Sequence, residues 1–237
     1  MMKFFDKLQQ ATAEQRQTLL ATSVIQDALK AQLSLEQYCA FLTQAYHHVR
    51  FTVPLMMAAG ANLPERLSWL QPAICEYIEE EAGHEQWILN DLKACGVDPE
   101  QVKNSRPSLP IELMVAFLFD QVRRVNPIAL FGMVNVLEGT SVSVATEAAD
   151  KIQQHLKLPN QAFSYLKSHG SLDISHMQHF EKLMNQVQDE KDQQDIIHCS
   201  KVVFKLYTEM YEQVPQISQQ FAAEGVRICN FPRHKYY

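Results

Sequence analysis

Glycine is scarce in this 237-residue sequence, which holds seven, or about 3% against a usual ~7%. They stand at 60, 83, 96, 132, 139, 170 and 225, and no two fall into a G-x-G-x-x-G or G-x-x-x-x-G-K-[ST] frame. A dinucleotide fingerprint and a P-loop are both excluded. Few Asn-Gly or Asp-Gly pairs occur, so there is little turn chemistry for a hairpin-rich β protein. Positive charge is also short: 21 Lys and Arg against 27 Asp and Glu give a net charge of −6 with no basic block. That leaves a nucleic-acid partner without electrostatic support. The five cysteines are odd in number, scattered and without C-x-x-C, which reads as free thiols in a reducing compartment. The N-terminal MMKFFDKLQQATAEQ has no apolar signal core, and no run approaches 18 uncharged apolar residues. The expectation is a soluble, cytoplasmic protein with no membrane partner.

What is present is helical periodicity over almost the whole chain, with 46% apolar residues to bury. The spacing predicts helices over Thr12–Gln32, from Leu35 with Ser34 as N-cap and a kink near Pro54, and from Pro64 past Pro72 to Gly96. VDPEQVKNSRPSLP reads as a long loop. Helices then cover IELMVAFLFDQVRRV, a segment opened by Pro127, a segment interrupted at Gly170, and a final DIIHCSKVVFKLYTEMYEQVPQISQQFAAEG. The reading is all-α: one domain over 1–237, a bundle of about seven helices, with 1–11 as lead-in and 225–237 as an aromatic, basic tail that docks back.

Three local patterns carry candidate chemistry. His169, Asp173 and His176 sit in H-x3-D-x2-H, and at ~100° per residue their side chains fall within about 60° of one another on a continuous helix. Two imidazoles and a carboxylate on one face suit iron, manganese or zinc, although a polar face has the same pattern. A helix break at Gly170 would cancel that register, and His179 continues the face. Glu81 and His84 form Glu-x-x-His among Ile74, Tyr77, Ile78, Trp87 and Ile88, which turns the pair toward the core. Glu138 follows a long uncharged run and needs a partner, a proton or a metal if buried. Thr140, Ser141 and Ser143 beside it are either supporting donors or small packing residues. One of His47 and His48 must face inward. Together Glu81, His84, Glu138, His169, Asp173 and His176 supply three carboxylates and three histidines from three helices, a ligand count for a dinuclear iron or manganese site.

The order E-x-x-H, then E-G, then H-x3-D-x2-H resembles the heme-oxygenase-like di-iron oxidases, an iron-containing redox family. Its wider superfamily includes thiaminase II (TenA-like) proteins and pyrroloquinoline-quinone synthases. The resemblance runs from LEQYCAFLTQAYHHV through YIEEEAGHEQWILNDL and NVLEGTSV to SHGSLDISHMQHFEKL. It implies a heme-oxygenase-like bundle in which His84, Glu138, His169, Asp173 and His176 are metal ligands. The remaining carboxylate maps either to Glu81 or to Tyr77, and a ligand from the earlier long helix maps near His47 or His48. The implied cofactor is Fe(II), one or two ions with manganese as the substitute, and O2 is the co-substrate. The implied substrate is a small metabolite such as a fatty acid, amino acid or amine, and the implied assembly is a homodimer. Phe117, Phe119, Phe131, Met133 and Phe163 are candidates to line its pocket.

Other readings stand beside this one. Thiaminase-like C–N hydrolysis needs a cysteine on the helix carrying Glu138, yet none occurs between Cys95 and Cys199. A cofactorless oxidase of the quinone-synthase kind and a non-enzymatic regulatory or binding protein complete the set. The glycines then gain a positive reading. Gly60, Gly96 and Gly225 follow helices, whereas Gly83, Gly139 and Gly170 each adjoin a proposed ligand and imply close packing or altered backbone there.

Overall fold

The computed structural model describes residues 2–223, without the side chains of 171–175 and 220–223. Asp173 as a ligand, Gly225 as a cap and the docking of the 225–237 tail therefore lie outside the described residues. The expected all-α architecture is observed, and no strand occurs among the described residues. In chain order the helices are α1 (Phe4–Ala11), α2 (Ala13–Leu20), α3 (Ser23–Leu29), α4 (Leu35–Val49), α5 (Thr52–Ala61) and α6 (Gln71–Glu81). They continue with α7 (His84–Ala94), α8 (Pro99–Asn104), α9 (Leu109–Asp120), α10 (Leu130–Leu156), α11 (Ser164–Met184) and α12 (Glu190–Ala223). Among the described residues, twelve α-helices replace the expected seven because three predicted segments are each divided. In addition, the lead-in forms α1 and the long loop contains α8, started by Asp98, whose carboxylate accepts from the Glu100 amide.

Local chemistry explains the boundaries. Ser34 opens α4 with a reciprocal capping box, its hydroxyl accepting from the Gln37 amide while the Gln37 side chain accepts from the Ser34 amide. The α4–α5 break falls at Arg50–Phe51 rather than at Pro54, which sits in the first turn of α5 where a missing amide is tolerated. Gly96 closes α7 at φ 86°, with Val97 N bonding Leu92 O and Gly96 N bonding Lys93 O. Gly60, expected after a helix, lies inside α5 instead. After α9 the chain runs through a π turn, Gln121–Val125, and a 3-10 turn opened by Pro127 before α10.

The core is organised by α10, which packs against α11, α12 and α3, while α12 also meets α4 and α9 and α7 bridges α4 and α11. Over Pro127–Leu156 the chain is long and apolar enough to cross a membrane by composition, but 67% of its most apolar window is buried in the bundle. Gly170 does not interrupt α11. A Cβ there would lie 2.1 Å from Thr146 Oγ1 and 3.0 Å from Thr146 N, so glycine lets α11 approach α10. Gly139 has no such role, since a Cβ would meet nothing within 4 Å.

Candidate metal centre

Glu81 and His84 come together by a break, not by sharing a helix. Glu81 is the last residue of α6 and His84 the first of α7. Between them Ala82 is extended (φ −65°, ψ 117°) and Gly83 is left-handed (φ 92°), a conformation in which a β-carbon would be strained. The Glu81 Oε2 atom then lies 3.2 Å from His84 Nδ1. This corrects the expectation of one helical Glu-x-x-His face, and assigns Gly83 its function as the residue that permits the break.

Against this corner α10 sets Glu138 and α11 sets His169 and His176. The His84 ring stacks on Trp87 with centroids 3.9 Å apart and meets His169 edge-on at 4.8 Å. His176 Nδ1 lies 3.9 Å from Glu138 Oε1. Two sets of potential ligands result, each with one donor atom per residue and all within 4.8 Å: Glu81, His84 and His169, and Glu81, Glu138 and His176. Glu81 belongs to both.

The donors fit a metal. Glu81 and Glu138 are only 8% and 6% exposed, and removing carboxylates from water is costly unless a cation or hydrogen-bond donors compensate. Neither adjoining cavity is lined by a lysine or arginine among the described residues. Carboxylate oxygens with imidazole nitrogens suit iron, manganese or zinc.

The flanking candidates separate clearly. His48 lines the inner cavity beside His169, and its Nε2 has no hydrogen-bond partner among the described residues. Burial, with help from His169 and His47, pushes its pKa down to about 3. His47 instead turns toward the α8 end, where its Nε2 lies 2.9 Å from Ser105 Oγ. Burial and then Arg50 lower the His47 pKa to about 4. An unfolded chain takes up that proton near ~6.5. The folded state therefore loses stability as pH falls from 6.5 toward 4. Urea unfolding of the metal-free protein at pH 7 and pH 5 is expected to show His47 contributing up to about 2 kcal/mol to that loss. His47→Gln should remove this part of the slope.

Tyr77 is buried beside the second donor set, its ring 6.4 Å from that of His176 and 6.2 Å from that of His179. Burial and the carboxylates of Glu138, Glu80, Glu81 and Glu76 push the phenol far above its ordinary range. The hydroxyls near Glu138 are mostly occupied within their own helix: Thr140 donates to Val136 O at 2.6 Å and Ser143 to Gly139 O at 2.7 Å. Sequence reasoning missed Glu80, whose Oε2 lies 3.3 Å from His176 Nε2, because it reads as part of a solvated acidic run. It also missed Asp91, a fully buried carboxylate that accepts from the Ser164 and Tyr165 amides at the start of α11.

A cavity of about 100 Å³ opens beside the first donor set. Glu81, Glu138, His169 and His48 line it together with Val24, Ile25, Ala28 and Leu33 from α3 and the segment after it. Of the five apolar residues expected there, only Met133 contributes. Phe131 and Phe163 are core residues, and Phe117 and Phe119 pack on the core from outside.

The helical bundle thus brings carboxylates and histidines from α6, α7, α10 and α11 into two largely buried donor sets, among the described residues, that could hold a metal ion. The model for the iron-containing redox enzyme family matches residues 39–208, and the chain belongs to that family. Among solved structures it is similar to a protein of unknown function with a heme-oxygenase-like fold from Shewanella denitrificans OS217. That match has a TM-score of 0.84 at 19% identity, covering 96% of this chain and 98% of that one. It is also similar to a TenA homologue from Pseudomonas syringae pv. tomato (TM-score 0.77, 12% identity, 90% and 93% covered). Heme oxygenase from Leptospira interrogans gives 0.68 at 15% identity, with 90% and 100% covered. At these identities the likeness establishes the heme-oxygenase-like fold. A sequence search of curated proteins finds no match.

Proposed function

We propose that this chain is a non-heme iron oxidase or oxygenase that uses O2 on a small, largely apolar metabolite. Two ferrous ions would be held by Glu81, His84, Glu138, His169, Asp173 and His176. The observation that carries the reading is the pair of donor sets that share buried Glu81 and contribute Glu81, Glu138 and His169 to the lining of a largely apolar cavity. One carboxylate common to two sites is the arrangement of a bridged dinuclear centre. Ferrous iron held there would pass electrons to O2, with the remaining electrons drawn from the substrate or an external reductant, and so would supply the oxidant for a C–H, C–C or N-centred group.

The chain's own contribution is positioning and exclusion of water. Val24, Ile25, Ala28 and Leu33 offer contact to an apolar body, and His48 presents a neutral imidazole to a polar group near the ligands. With no lysine or arginine lining the cavity among the described residues, a substrate carboxylate finds its only positive partner at the metal end. That orients an anionic molecule head-inward and keeps its tail toward α3. A TenA-like C–N hydrolase is compatible with the fold but would need a cysteine nucleophile at the cavity. No cysteine lines the cavity among the described residues, and burial pushes the Cys199 thiol up to about 12.

Anaerobic titration of the metal-free protein with Fe(II) is expected to saturate at two ions per chain, and admitting O2 should oxidise them with matching oxygen uptake. Saturation below one ion per chain, or undiminished substrate turnover after exhaustive chelation, would overturn the proposal in favour of a cofactorless enzyme.

A further inference from the structure

We propose that the acidic pocket on the outer face of this centre is a second, labile site for a divalent transition-metal ion, through which metal reaches the buried ligands. The inference rests on the metal-centre reading above. Glu76 and Glu80 lie one turn apart on α6, and His176 and His179 lie three residues apart on α11, so each pair shares a helix face. The two faces oppose one another: Glu80 Oε2 is 3.3 Å from His176 Nε2, and Glu76 Oε2 is 3.8 Å from His179 Nε2. These four side chains and Tyr77 line one pocket, which contains no lysine or arginine among the described residues.

A second observation makes this more than a pair of surface contacts. Tyr77 lines the pocket, is only 3% exposed, and its hydroxyl has no hydrogen-bond partner among the described residues. A buried phenol without a partner is costly, and a hydrated cation or its water would satisfy it. Glu76 and Glu80 are 58% and 38% exposed, so they meet solvent and can gather cations. His176 joins outside to inside. Its Nε2 faces Glu80 in the outer pocket, while its Nδ1 lies 3.9 Å from Glu138 Oε1 in the buried donor set. An ion held by Glu80 and the outer nitrogen is thus one imidazole away from its final ligands. The inner cavity, by contrast, is lined largely by apolar side chains, Val24, Ile25, Ala28 and Leu33 among them, which offer a hydrated ion nothing. The centre accordingly has two doors, an apolar one for substrate and an acidic one for metal.

The test uses Co(II) alone as probe, added to the full-length metal-free protein in a stopped-flow instrument that follows cobalt absorbance. Glu76→Gln and His179→Gln, singly and together, change the outer pocket and leave every proposed buried ligand in place. The double variant is expected to load about five- to tenfold more slowly, while the cobalt number and spectrum after desalting, which strips the labile outer ion, match wild type. Wild-type loading should also slow with added salt more steeply than loading of the double variant. A double-variant rate within twofold of wild type, or a cobalt number after desalting that falls along with the rate, overturns the port. Wild-type protein that binds no cobalt overturns the centre itself, which separates the two failures.

Discussion

Glu81→Ala is expected to abolish binding at both halves of the metal centre, reducing iron from two ions per chain to none at concentrations that saturate wild type. Its carboxylate is the common member of the Glu81–His84–His169 and Glu81–Glu138–His176 sets. Removing one directly coordinating side chain should weaken each site by at least the ~10–100-fold that a supporting partner alone contributes. His84→Ala and Glu138→Ala each touch a single set, so each should leave one ion bound. Elemental analysis after anaerobic loading distinguishes these outcomes. The metal-free Glu81→Ala protein should unfold within a few degrees of wild type, because it loses a buried carboxylate whose desolvation offsets its pairing with His84. Retention of one tightly bound ion by Glu81→Ala would show that the sets do not share this ligand.

How the centre is assembled explains which parts were legible beforehand. Ser34 and Gly96 could be read because caps depend on a few neighbouring residues, and both behave as read. His84, Glu138, His169 and His176 could be singled out as candidates because residue type and spacing are local properties, and the fold brings these four beside Glu81. The break between Glu81 and His84 was not legible as such. A glycine inside a helical pattern fits either a continued helix or a left-handed residue, and only tertiary packing decides. The same limit applies to the adjacent histidines of α4, where one rotates to Ser105 and the other to the cavity. Gly139 illustrates the converse. It adjoins Glu138 as Gly83 adjoins His84, yet nothing stands where its side chain would be. Neighbourhood in sequence pointed to the site without revealing which glycine the backbone required.

Asp91 ties α7 to the start of α11, the two helices that carry the proposed ligands His84 and His169, and its loss is expected to affect both stability and metal binding. It lies seven residues after His84 on α7, two turns on and therefore on the same face. From there it reaches across to the start of α11. Its Oδ1 accepts from Ser164 N at 3.0 Å and from the Ser164 hydroxyl, and its Oδ2 accepts from Tyr165 N at 2.9 Å. The carboxylate thus performs an N-cap's task from another helix, 73 residues away in sequence, which is why no local motif announced it. Burial raises the Asp91 pKa, and the bonds from Ser164 and Tyr165 pull it back part of the way. Asp91→Ala leaves two amides at a buried helix start without an acceptor and should cost about 2–4 kcal/mol, a fall of roughly 5–15 °C in Tm. Asp91→Asn keeps one acceptor and should lose about half as much. A purely structural role would end there. Because Asp91 couples the helix of His84 to that of His169, metal titration well below both melting points should show a further loss of about 10-fold in affinity. That loss should fall on the His84–His169 half of the centre more than on the Glu138–His176 half. Equal weakening of the two halves, or wild-type affinity in a destabilised Asp91→Asn protein, would reduce Asp91 to a helix cap with no part in setting the ligand geometry.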